Sequence, residues 1–167
     1  MATKPTPNRA AEVIELLTKA KTNIVTAESC TGGLVAAALT SVPGSSAAFF
    51  GSYVTYANSA KTRMIGVPAR VIRDYGAVSN QVARAMADGA RNTAHADFAV
   101  SVTGVAGPDG GSEKKPVGLV YVAVSSDLAT VVIEHKFGAL SRDEIRKASV
   151  EAALELVLQV LTTDQTP

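Results

Sequence analysis

Three stretches of the 167-residue sequence hold the residue types that amide or ester chemistry needs. The first reads Thr26-Ala27-Glu28-Ser29-Cys30-Thr31-Gly32-Gly33. It follows an apolar run and precedes a small-residue run, so it falls where a strand gives way to a helix. A serine there lies beside backbone N–H groups without intrahelical partners, at the positive end of the helix dipole. Such donors can hold the oxyanion of a tetrahedral intermediate. Ser29 is therefore a candidate nucleophile, with Cys30, Thr31, Gly32 and Gly33 as candidate oxyanion residues. Ser and Thr are also the preferred helix caps, so a mere cap at Ser29 or Thr31 is the competing reading. The glycine pair weighs against it, because two glycines weaken a helix and suit a place where something approaches the backbone closely. Cys30 is a rival nucleophile, although a lone buried cysteine more often only packs.

The second stretch is Tyr56-Ala57-Asn58-Ser59-Ala60-Lys61. Lys61 falls in the first turn of a helix, where the dipole disfavours a cation and favours the neutral amine that a general base requires. The alternative is an exposed lysine that titrates normally. The third stretch is Ser101-Val102-Thr103-Gly104 and the irregular run to Val117, with glycines at 104, 107, 110 and 111. Its backbone could form an anion-binding concavity, or the glycines could simply make it flexible. It is neither a P-loop nor a strand–GxGxxG–helix unit, so neither phosphate fingerprint is present.

Other chemistries lack their residues. His95 and His135 have no ligand spacing to Cys30 or to acidic pairs, so no metal site is expected. No G-x-S-x-G elbow occurs, and two such histidines do not suggest a Ser-His-Asp triad. If Ser29 is a nucleophile, lysine is the best remaining base.

Hydrophobic periodicity supplies the elements that must position these residues. Helices are predicted over 9–20, 31–40, 59–65, 68–74, 79–95 and 142–161, with Asn58 and Ser79 as caps. Ser141 and Glu144 form a capping box before the last helix. Strands are predicted over 23–27, 49–56, 97–102, 118–125 and 129–137, the last two joined as a hairpin through Ser126-Asp127-Leu128. The alternation predicts an α/β fold, a three-layer α/β/α sandwich with a mixed central sheet. One domain over 9–162 is expected, between a flexible N-terminal segment (1–8) and a flexible tail (163–167).

Composition narrows the class of partner. With 47% apolar and 19% charged residues the chain is globular. A net charge of +1 and no tryptophan give no support for a nucleic-acid partner. No run is long enough to span a bilayer and no signal-peptide core is present, so no membrane partner and a cytoplasmic location are expected. The single cysteine fits a reducing compartment. The apolar excess is compatible with a homo-oligomer.

TAESCTGG at 26–33, YVTYANSAK at 53–61, YGAVS at 75–79 and VTGVAGPDGGSEKKPVG at 102–118 together resemble the C-terminal domain of competence/damage-inducible CinA proteins. The resemblance runs from about Arg9 to Leu161. Stand-alone members of that family are nicotinamide-nucleotide amidases. It implies deamidation of nicotinamide mononucleotide to nicotinate mononucleotide and ammonia, within pyridine-nucleotide recycling and without a cofactor. It implies Ser29 as nucleophile, assisted by Lys61 and Tyr56. Asn58, Thr103, Gly104, Gly107, Gly110, Gly111, Arg142 and Arg146 are then candidate contacts to the nucleotide. The larger members' additional N-terminal domain has no counterpart in this sequence. Two other readings stay open: a Ser-Lys hydrolase of a different amide, and a nucleotide-binding regulatory domain without turnover.

Overall fold

The computed structural model describes residues 8–163; the expected flexible ends fall largely outside this range. Its order is α1 (Arg9–Ala20), β1 (Ile24–Glu28), α2 (Leu34–Thr40), β2 (Phe49–Val54), α3 (Asn58–Ile65), α4 (Ala69–Tyr75), α5 (Asn80–Ala94), β3 (Phe98–Gly104), β4 (Leu119–Ser125), β5 (Thr130–Lys136) and α6 (Arg142–Thr163), with a short 3₁₀ turn at Ser45–Ala47. The sheet order is β2-β1-β3-β4-β5. β1 pairs parallel with β2 and β3, whereas β3–β4 and β4–β5 are antiparallel. This is the mixed sheet that the alternation predicts.

Two apolar layers flank it. Ile24, Val100, Val102, Val120, Val122 and Val124 pack under α1, α2 and α6. Val25, Ala27 and Ala99 face Ile65, Ile72, Val82 and Met86 of α3, α4 and α5. Neighbouring strand residues go to opposite layers, as the period of two requires. Small residues dominate beneath α5, where Ala83 and Ala87 meet Ala123. The Ser101 hydroxyl donates to the Ala83 carbonyl at 2.7 Å.

Several boundaries differ from the sequence reading, and those with consequences fall at the candidate site. β2 ends at Val54 and not at Tyr56, which lies in the connection to α3. α2 starts at Leu34 and not at Thr31, because Gly32 and Gly33 take positive φ (60° and 103°), which a right-handed helix excludes. β3 continues through Gly104, so Thr103 and Gly104 are ladder residues paired with Tyr121 and Val120. Asn58 is the first residue of α3 and not its cap; the cap position is Ala57, which has no side-chain bond. The other capping expectations hold. Ser79 accepts from the Val82 N–H, and Ser141 and Glu144 exchange hydrogen bonds at 3.3 and 2.8 Å. No helix among the described residues is long and apolar enough to cross a membrane.

Candidate active site

Because β1, β2 and β3 are parallel, the segments that follow them leave the sheet at one edge. The chain passes from β1 outward to β2, then back across β1 to β3. The carboxyl ends of strands at such a reversal form the crevice where open α/β sheets bind ligands. The Ser29 turn, the Thr55–Ala57 segment and the loop after β3 meet there. Antiparallel β5 ends on the same side and delivers the first turns of α6.

Lys61 is buried, with 1% of its surface exposed. Its Nζ lies 3.1 Å from Ser29 Oγ, 2.8 Å from the Thr55 carbonyl oxygen and 3.1 Å from the Tyr56 carbonyl oxygen. All three neighbours are uncharged oxygens. Burial pushes the amine down to about 8, against an opposing influence from Cys30. A neutral amine has two N–H bonds and one lone pair. The two carbonyls accept the N–H bonds, which leaves the lone pair for the Ser29 hydroxyl. From the sequence, the helix start and burial could each lower this lysine; in the structure burial is the cause.

The Ser29 turn is fastened at several points. The Ser29 N–H donates to the Val102 carbonyl at 3.0 Å, and the Thr55 N–H to the Glu28 carbonyl at 2.8 Å, so the sheet ladder reaches into the site. The Gly32 N–H donates to the Ser29 carbonyl at 3.0 Å. The Gly33 N–H donates to Glu28 Oε2 at 3.0 Å. Gly32 and Gly33 therefore have no free amide for an oxyanion. Neither the Thr31 N–H nor the Cys30 N–H has an acceptor in another residue among the described residues. Burial pushes the Cys30 thiol up to about 11. Neither Ser29 nor Thr31 caps α2, which leaves the Ser29 hydroxyl to Lys61.

Two arginines of α6 close the site. Arg146 donates from Nε to the Cys30 carbonyl at 3.1 Å and from Nη2 to the Thr31 carbonyl at 3.3 Å. A trans peptide points its N–H opposite to its C=O, so a guanidinium on the Cys30 oxygen turns the Thr31 N–H away from α6. Arg142 donates from Nη1 to the Gly107 carbonyl at 2.7 Å and from Nη2 to the Tyr56 phenol oxygen at 3.1 Å. Tyr56 thus meets Lys61 through its carbonyl, while its exposed ring reaches Arg142.

Other candidate residues lie further from the pair. Asn58 is exposed at the start of α3. The buried Thr103 hydroxyl donates to the Ala77 carbonyl at 2.9 Å. A Cβ on Gly104 would sit 2.6 Å from Val120 Cγ2, and one on Gly107 2.6 Å from Val117 Cγ1. One on Gly111 would sit 2.9 Å from the Val117 nitrogen. These glycines allow the loop to fold onto itself and onto β4. Gly110 stands in open space.

Glu28 is the site residue that the sequence reading missed. It is fully buried and bonds three amides at the start of α2. An acid closing an apolar strand was the available signal, since a buried carboxylate must find several donors. Thr31 and Thr55 keep buried hydroxyls without a hydrogen-bond partner among the described residues. Among the described residues no three His, Cys, Asp or Glu side chains gather as a metal site would require.

Fold and site define a three-layer α/β/α domain with a serine–lysine pair at the carboxyl ends of its parallel strands. The model of the CinA C-terminal domain matches residues 7–161, and the chain belongs to that family. CinA-like proteins of Geobacter sulfurreducens and Acidobacterium capsulatum are 52% and 50% identical over 82% and 81% of this chain. The chain spans about a third of the length of these relatives, 33% and 32%. The competence/damage-inducible protein CihA of Agrobacterium tumefaciens superposes with a TM-score of 0.90 at 45% identity, covering 97% of this chain and 99% of that one. A CinA superfamily protein of Escherichia coli does so with 0.89 at 30% identity, covering 96% and 94%.

Proposed function

We propose that this domain is an amidohydrolase that deamidates nicotinamide mononucleotide through an acyl-enzyme on Ser29. The observation that carries the reading is the buried Lys61 amine 3.1 Å from the Ser29 hydroxyl, with its remaining hydrogens directed at two carbonyls. Lys61 Nζ takes the proton as Ser29 Oγ attacks the carboxamide carbon. The Cys30 and Thr31 N–H groups receive the oxyanion. As the intermediate collapses, the C–N bond breaks and the lysine proton goes to the departing nitrogen, releasing ammonia. Lys61 then deprotonates a water that attacks the ester, giving nicotinate mononucleotide and free serine. The substrate phosphate is assigned to the loop from Gly104 to Gly111, with Arg142 beside it. Family membership supports the substrate, since the amidase members share the motifs around Ser29, Tyr56 and Lys61.

The test is ammonia release from nicotinamide mononucleotide by the purified protein in buffer containing EDTA. The expected result is one ammonia per nicotinate mononucleotide. Nicotinamide riboside and free nicotinamide should be poorer by about ten- to a hundredfold in kcat/KM, since a charge-assisted phosphate contact contributes about 1.5–3 kcal/mol. Equal kcat/KM for all three compounds argues for an amidase without a nucleotide site, and no ammonia from any of them overturns the reading.

A further inference from the structure

The turn that carries Ser29 is held from inside by a carboxylate. Glu28 Oε2 accepts the Gly33 N–H at 3.0 Å and the Val35 N–H at 3.1 Å. Glu28 Oε1 accepts the Ala36 N–H at 2.8 Å. The Thr26 hydroxyl bridges Glu28 Oε1, at 3.2 Å, and Ser52 Oγ on the edge strand, at 2.6 Å. Both oxygens are thereby satisfied, which is what allows a carboxylate to be fully buried.

These amides are the ones a helix start would otherwise offer to an outside anion. With them taken, and with the Gly32 N–H on the Ser29 carbonyl, the turn is left with two free donors. We propose that Glu28 is a positioning residue for Ser29: it fills the leading amides of α2, holds Gly32 and Gly33 in their left-handed conformation, and so fixes the Cys30 and Thr31 N–H groups as the oxyanion donors. This rests on the reading of Ser29 as the nucleophile. The carboxylate also works, with burial, against a thiolate at Cys30, while Arg146 and Lys61 oppose it.

Replacing Glu28 by Gln keeps the shape but sets an N–H donor against at least one of the amides. A cap with a purely structural role would lower stability and leave the folded enzyme's chemistry alone. A positioning role lowers kcat and leaves KM in place, because the oxyanion forms only after substrate is bound. The experiment compares wild type, Glu28→Gln and Thr26→Val. It reads kcat and KM for nicotinamide mononucleotide, thermal unfolding, and the rate at which a small fluorophosphonate labels Ser29, followed by mass spectrometry.

In Glu28→Gln, kcat and the labelling rate should fall together by about a hundredfold, as expected when an oxyanion donor is displaced, with KM within about threefold. A folded Glu28→Gln that labels and turns over within threefold of wild type overturns the proposal. If Glu28→Gln does not fold, Thr26→Val decides. It removes the hydroxyl contact that ties Oε1 to the edge strand through Ser52 and leaves the Ala36 N–H alone on that oxygen, so the carboxylate is aimed less firmly at the α2 amides and labelling should slow at least threefold; an unchanged rate overturns the proposal. Wild type that is not labelled at Ser29 defeats the nucleophile reading and this proposal with it. Labelling without ammonia release defeats only the choice of substrate, and the labelling ratios still judge Glu28.

Discussion

An amine taken out of water favours its neutral form, and Lys61 has only carbonyl and hydroxyl oxygens around its Nζ. The pH profile of kcat/KM should therefore rise through a limb near 8, where burial holds this group. Lys61→Arg should be nearly as damaging as Lys61→Ala, about 10²–10⁴-fold, because a guanidinium cannot give up its proton. An Arg variant that keeps more than about a tenth of wild-type activity would make Lys61 a charge and not a base. The same group links pH to stability. Between about 8 and the ordinary lysine value of 10.5 the unfolded chain binds more protons than the folded one, so stability climbs with pH in that window. The denaturant midpoint of wild type should gain on that of Lys61→Met between pH 8 and 10; a constant gap would mean that the amine titrates normally. At the neighbouring positions, Ser29→Ala should abolish turnover with folding intact. Cys30→Ala should retain most of it, since the thiol is pushed up to about 11. The opposite pattern in the two variants would transfer the nucleophile to Cys30.

Lys61 reaches Ser29 because α3 lies where α5 allows it to lie. Gly89, in the interior of α5, faces the C-terminal end of α3: a Cβ there would sit 1.9 Å from the Ile65 carbonyl oxygen. On an exposed helix Gly→Ala is stabilising by about 1 kcal/mol. Here Gly89→Ala should lower the melting temperature and reduce kcat, because α3 must shift and Lys61 shifts with it. A variant as stable and as active as wild type would mean that the helices accommodate the methyl without moving the amine. The same dependence on neighbours explains which boundaries could be read from sequence. α1, a lone amphipathic helix with Val13, Ile14 and Leu17 buried, runs over the predicted residues. The starts of α2 and α3 could not be read as well, since positive φ at Gly32 and Gly33 and the cap position at Ala57 follow from how the turns meet the sheet.

Across the whole molecule, β5 is the sheet edge opposite β2, and it contains a different titrating group. His135 stacks on Phe137 with ring centroids 5.3 Å apart, and its Nε2 is buried without a partner among the described residues. Burial pushes this imidazole down, against the opposing charge of Glu155 on α6. A lowered histidine is neutral in the fold, so the unfolded chain takes up the proton first and stability falls as pH drops below about 6.5. Melting temperatures between pH 7.5 and 5 should fall more steeply for wild type than for His135→Phe. Parallel curves would place the acid sensitivity elsewhere.

The sequence alone determined what depends on local pattern and on residue identity. The apolar periods, the capping signals at Ser79 and Ser141 and the hairpin at Ser126–Leu128 define the layered α/β/α class. The unusual runs around Ser29, Lys61 and Gly104 mark the segments that gather at one sheet edge. Distances between segments are not encoded in local pattern. That Lys61 Nζ is 3.1 Å from Ser29 Oγ, and that Tyr56 presents its carbonyl to the amine and its phenol to Arg142, follows from the parallel pairing of β1 with β2 and the return of α6 across the site. Arg146 likewise grips the backbone of the nucleophile turn from more than a hundred residues away, |i−j| 116 to Cys30. Glu28 shows the division most clearly: its place at the end of an apolar strand is legible, but its three amide partners exist only once α2 has packed over β1. A buried charge is settled by the donors around it, and only the folded chain assembles those donors.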